Sequence, residues 1–132
     1  MNSALLSRAS AGLLMLAGLV LLFAADDVLP ALAPGFPDAA AWVGQLLGGA
    51  WLAIAALNWL QRGARLGGIY GRPVVLINAL LYFVSAMVLL KAVTRADAPR
   101  TVVIAVGLFV AFAAVYAWLL FRGPFERDSS EQ

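Results

Sequence analysis

Four long apolar runs, separated by connections too short or too proline-rich to hold domains of their own, constrain this chain more than any motif in it. The runs occupy residues 4–25, 39–61, 73–93 and 101–121. Each is long enough to cross a bilayer whose hydrocarbon core is about 30 Å thick, which takes roughly 20 helical residues. In hydrocarbon, a spanning segment must satisfy its own backbone hydrogen bonds, so each run is expected to be a helix. With 64% hydrophobic and 12% charged residues, against about 25% charged in soluble domains, lipid is the expected solvent for most of the chain. The expected fold is therefore all-α: a single integral membrane domain, a four-helix up-down-up-down bundle, with a polar C-terminal tail over 122–132.

The first run carries Ser7, Arg8 and Ser10 near its start and meets Asp26 and Asp27 at its end. A competing reading is a cleaved signal peptide, with Arg8 as the charged region, residues 12–23 as the apolar region and Phe23-Ala24-Ala25 as a small-residue cleavage site. A retained helix is favoured, because the four runs then form an even set. Pro30, Pro34, Gly35 and Pro37 mark residues 27–38 as a loop. Its acids Asp26, Asp27 and Asp38 are hard-cation ligands by type, but they lack the spacing of an EF-hand. A solvated loop with acidic helix ends is the simpler reading.

Several helix faces are built for close approach. Gly44-x-x-x-Gly48 and Gly49-x-x-x-Ala53 in the second run, and Gly107-x-x-x-Ala111 and Ala113-x-x-x-Ala117 in the fourth, place small residues one turn apart. In steps of three and four, Gly44, Gly48, Trp51, Ala55, Asn58 and Arg62 share one face. That face is expected to look inward, because an asparagine facing lipid is costly. Pro73 suits the first turn of the third helix, where a missing amide hydrogen costs nothing. Asn78, Tyr82 and Ser85 then fall on one stripe of that helix.

The connection between the second and third runs concentrates Arg62, Arg65 and Arg72. With the N-terminus inside, Arg8, Arg62, Arg65, Arg72, Arg122 and Arg127 are cytoplasmic, and Lys91, Arg95 and Arg100 lie outside. Six against three predicts cytoplasmic N- and C-termini. Trp59, Tyr70, Trp118 and Phe121 then fall at the inner interface and Trp42 at the outer one, as aromatic belts require. The three hairpin arginines are candidate headgroup contacts, each expected to gain about 1 kcal/mol from anionic lipid.

At 1.5 Å rise per residue, Asn58, a turn before Arg62, and Asn78, just over a turn after Pro73, fall at similar depth. Tyr116 reaches about the same level and Tyr82 lies a turn deeper. Asn58, Asn78, Tyr82 and Tyr116 are thus the candidate polar pocket, able to hold a lipid, a quinone or another amphiphile in the cytoplasmic half. The plainer reading is that they hydrogen-bond across helices and fix packing, at about 0.6 kcal/mol each.

The chain has no cysteine and no histidine, which removes disulfides, thiolate nucleophiles, Cys/His zinc sites, bis-histidine haem and imidazole catalysis. No run has an acid at mid-depth, which argues against proton-coupled transport by a monomer. Ser85 and Lys91, six residues apart, lie on poorly matched helix faces and make no credible catalytic dyad. No catalytic, cofactor or metal site is expected, and a net charge of +2 gives no surface for nucleic acid.

Asn58-Trp59 closing the second helix, then Gly67-Gly68-Ile69-Tyr70-x-Arg72-Pro73 and an asparagine early in the third, resembles a group of small uncharacterised bacterial four-helix inner-membrane proteins. The likeness is concentrated in residues 58–82. It implies the bacterial inner (plasma) membrane and the same fold, and brings no activity with it. The reading these residues favour is a non-enzymatic multi-pass protein that acts as a structural or accessory partner. Its expected contacts are membrane lipids and, through the small-residue faces, a homo- or hetero-oligomer. The alternatives are a binder of an amphiphile in the polar pocket and, third, an enzyme acting on a lipid-like substrate.

Overall fold

The apolar runs fold into helices because little within them competes for the backbone. The computed structural model describes residues 3–63, 71–95 and 100–122. Among these are four α-helices, α1 (Ser3–Leu32), α2 (Ala41–Leu60), α3 (Arg72–Arg95) and α4 (Arg100–Arg122), and single 3-10 turns at Asp38–Ala40 and Gln61–Gly63. All four helices are long and apolar enough to cross a membrane.

The first helix differs from its expected bounds. It runs on through Asp26, Asp27 and Pro30 to Leu32 rather than ending near residue 25, and the expected 27–38 loop shrinks accordingly. The reason lies at Ala24, whose φ of −131° and ψ of 26° break the helix and restart it. Asp26 and Asp27 then stand in the first turn of the restarted segment, where free amide hydrogens favour negative charge. Pro30 removes one hydrogen bond from a segment with only two residues left to run. The reversal that follows uses Gly35 at φ +87°, a backbone conformation that a side chain would strain.

Helices α1 and α2 form one closely packed pair and α3 and α4 another, while α2 and α3 touch more sparingly. Between α1 and α2 the small residues set the distance. A Cβ on Gly48 would lie 2.7 Å from the Gly18 carbonyl oxygen and 2.9 Å from the Leu22 nitrogen. A Cβ on Gly18 would lie 2.9 Å from the Gly48 carbonyl oxygen, and one on Gly44 2.7 Å from Leu29 Cδ1. Two glycines therefore bring the backbones into contact, as small-residue packing requires. The inward face expected on α2 is present: Gly44, Gly48, Ala55 and Asn58 are buried, with Trp51 and Arg62 partly so.

Two of the four small-residue pairs turn the other way. Gly49 and Ala53 on α2, and Gly107 and Ala111 on α4, are exposed, and a Cβ on either glycine would meet nothing within 4 Å. Among the described residues, neither glycine has a neighbouring helix packed closely against it. Ala113, by contrast, is buried against the core and Ala117 is partly buried.

Between the two helix pairs lies a core of Leu6, Leu14, Ala55, Val75, Tyr82, Phe109, Tyr116 and Leu119. Tyr82 is its centre: its ring stacks on Phe112 at 4.8 Å and on Tyr116 at 5.7 Å, and meets Phe109 edge-on at 5.3 Å. Each aromatic pair contributes about 0.5–1.5 kcal/mol beyond its burial. Outward, the surface is lined with large apolar side chains, among them Leu60, Phe23 and Phe121.

Candidate functional site

A polar cluster stands inside this apolar core, and three helices build it. Ser10 comes from α1, Asn58 from the last turn of α2, and Asn78 and Tyr82 from successive turns of α3. All four residues are 0% exposed. Asn58 Nδ2 donates to Asn78 Oδ1 at 2.8 Å, and Asn78 Nδ2 donates back to Asn58 Oδ1 at 2.6 Å. The second hydrogen on Asn78 Nδ2 goes to the Val74 carbonyl at 2.8 Å, one turn back on its own helix. The second hydrogen on Asn58 Nδ2 goes to Ser10 Oγ at 3.0 Å. Ser10 Oγ lies 2.7 Å from the Tyr82 hydroxyl and 3.3 Å from Asn78 Oδ1.

One proton arrangement satisfies every donor in this set. If the Tyr82 hydroxyl donates to Ser10 Oγ and Ser10 donates to Asn78 Oδ1, each N–H and O–H hydrogen finds an acceptor. A buried polar group left unpaired costs about 1–3 kcal/mol, and more where no water can reach it. Closing the set removes that cost and ties α1, α2 and α3 at one level.

Of the four residues expected to form a polar pocket, three meet as expected and one does not take part in the bonding. Asn58, Asn78 and Tyr82 are joined, directly or through Ser10. Tyr116 is 0% exposed and stacks on Tyr82, but its hydroxyl has no hydrogen-bond partner among the described residues. Ser10, Asn58, Asn78 and Tyr82 form a buried hydrogen-bonded knot, each of them 0% exposed among the described residues. Ser85, on the same stripe of α3, is only partly buried.

Ser10 is the residue that sequence reasoning missed. It interrupts an apolar run near a chain end, where it read as part of a polar start. The available signal was periodicity: Ser7, Ser10 and Leu14 stand at i, i+3 and i+7, on one helix face. Ser7 is buried on that face too, but its Oγ has no partner among the described residues.

The candidate headgroup contacts behave differently from one another. Arg62 folds back on its own helix: its Nη1 donates to the Trp59 carbonyl at 2.7 Å and its guanidinium lies 4.6 Å from the Trp59 ring centroid. It thus adds a charged donor to the Trp59 carbonyl at the end of α2 while making a cation–π contact. Arg72 opens α3 and is exposed, with Pro73 beside it in the first turn as expected. Arg65 and Tyr70 lie outside the described residues. Asp26, Asp27 and Asp38 make no cluster of three metal-ligating side chains, and none is found among the described residues.

No family model, curated protein or solved structure matches this chain. The functional reading therefore rests on its own residues.

Proposed function

We propose that the chain is a non-enzymatic multi-pass protein of the bacterial inner membrane, with four up-down spans and both termini in the cytoplasm, serving as a structural or accessory partner. The observation that carries this reading is the closure of the polar knot. The residues best suited to hold a ligand instead hold one another, so their chemistry is spent on fixing three helices at one depth.

The rest of the surface supports the same reading. Helices long enough to span carry large apolar side chains outward, which is stable where the surroundings are lipid. Trp42, Trp59 and Trp118 are all substantially exposed, as residues of an aromatic belt would be. The arginine excess on the side assigned Arg8, Arg62, Arg65, Arg72, Arg122 and Arg127 supports cytoplasmic termini. Exposed Gly49 with Ala53, and Gly107 with Ala111, are the places where helices of a second protein, or of a second copy, would pack closely.

Membrane extraction and topology mapping test the proposal together. The chain is expected to stay in the membrane fraction after a carbonate wash. A C-terminal alkaline phosphatase fusion is expected to be inactive, while a C-terminal fluorescent-protein fusion is bright. An active phosphatase fusion puts the C-terminus outside and overturns the four-span topology; cleavage of the first helix leaves the C-terminus inside and is read instead from the mass of the mature chain.

A further inference from the structure

A second feature lies away from the polar knot, toward the opposite end of the bundle. An open cleft of about 480 Å³ runs between α1 and α4, with Leu13, Val28, Leu89, Val102 and Phe109 among its walls and Trp51 of α2 at its base. That volume is in the range of small-molecule sites. The cleft is almost wholly apolar, and Asp27 and Thr101 bring its polar side chains.

Trp51 marks what the cleft would take. Its Nε1 is buried and has no hydrogen-bond partner among the described residues. An indole N–H is only a donor, and in apolar surroundings an unpaired donor costs about 1–3 kcal/mol. Nε1 is covered by neighbouring atoms while the residue lines the cleft, so donation to an acceptor bound there requires the indole to turn toward it. Phe109 lies 5.6 Å away, centroid to centroid, at 42°, and completes an aromatic base against which a flat ring can lie.

Depth selects the class of occupant. Trp51 is ten residues into α2, about 15 Å along the helix from Ala41 and near the middle of the span. In a hydrocarbon core of about 30 Å, the ester carbonyls of a phospholipid are held near the surface and do not reach that level. A neutral ring carbonyl on an apolar tail is not tied to the surface. The Asp27 carboxylate among the lining residues disfavours an anionic head. We infer that the α1–α4 cleft binds a quinone-type lipid, an uncharged ring carbonyl on an apolar tail, which accepts a hydrogen bond from Trp51 Nε1 and lies against Phe109. The inference rests on the membrane-embedded reading above.

The test uses the full chain in lipid nanodiscs and a decyl-tailed benzoquinone as probe, with occupancy read by native mass spectrometry across a concentration series. Saturable one-to-one binding is expected. Trp51→Phe keeps an aromatic ring and removes the donor, and should weaken binding about three- to ten-fold, the worth of one hydrogen bond. Ala105→Phe, which fills the cleft and leaves Trp51 in place, should weaken it more than ten-fold. Diacylglycerol, titrated in the same way, should not compete. Equal affinity in wild type and both variants, non-saturable uptake, or Trp51-dependent binding of diacylglycerol instead of the quinone each overturns the inference. A chain that does not enter nanodiscs at all overturns the membrane reading, whereas an inserted chain that fails to bind overturns only the cleft assignment.

Discussion

Asn58 and Asn78 exchange a reciprocal pair of amide hydrogen bonds, 2.8 and 2.6 Å long, from facing turns of α2 and α3. Since α2 and α3 otherwise touch little, this pair does much of the work of setting the register between the two helix pairs. Replacing either asparagine by alanine strands the donors and acceptors of the other. Each single substitution is expected to cost about 1–3 kcal/mol. The double substitution should cost less than the two together, with a coupling of about 1 kcal/mol, toward the upper part of the range measured for polar pairs in membrane bundles. Denaturation of the four proteins of this cycle in mixed detergent micelles gives the coupling directly. A value near zero would mean that each amide relies on other partners.

The pairing of Asn58 with Asn78 was legible in the sequence because two anchors, Arg62 and Pro73, fixed depth on both helices, and helical rise did the rest. The face of α2 was legible for a similar reason: an asparagine and two glycines at helical spacing admit one inward direction. Less legible were features that depend on which of several equivalent faces wins. Gly49-x-x-x-Ala53 and Gly44-x-x-x-Gly48 look alike as spacings, yet only the second meets α1, because Asn58 turns that side of the helix inward. Ser10 escaped notice since a lone serine near a chain end carries no periodic signal unless Ser7 and Leu14 are read with it. The extension of α1 past Asp26 and Asp27 depends on a backbone break at Ala24, and alanine gives no local warning of one. The full burial of the polar knot was likewise beyond the sequence, which shows that polar side chains share a level but not how tightly they are covered.

The two glycine classes give a second prediction. Gly48→Ala drives a methyl group into the Gly18 carbonyl and the Leu22 nitrogen, both backbone atoms that cannot swing away. The helices must separate, at an expected cost of about 1–3 kcal/mol. Gly49→Ala and Gly107→Ala meet open space and gain up to about 1 kcal/mol of helix propensity. Thermal melts of the detergent-solubilised monomer should therefore show a clear drop for Gly48→Ala and no drop for the other two. If Gly49→Ala or Gly107→Ala instead lowers the apparent mass of an oligomer in native gels while leaving the monomer melt unchanged, that face is in use by a partner copy.

Ser10 and Ser7 provide the sharpest contrast in the molecule, since they are one helical turn apart, equally buried, and opposite in bonding. Ser10→Ala removes one acceptor of Asn58 Nδ2 and the partner of the Tyr82 hydroxyl, leaving two donor hydrogens stranded in a fully buried site. Ser7→Ala removes a hydroxyl that has no partner among the described residues, so it relieves a cost rather than imposing one. The expected result is a loss of about 1–3 kcal/mol for Ser10→Ala and unchanged or raised stability for Ser7→Ala. Ser10→Thr keeps the hydroxyl and should recover part of the loss, limited by the room available for its extra methyl group. Detergent unfolding followed by tryptophan fluorescence distinguishes these outcomes. Equal destabilisation by Ser10→Ala and Ser7→Ala would mean that the loss comes from packing at the α1 face and not from the hydrogen bonds that join Ser10 to Asn58 and Tyr82.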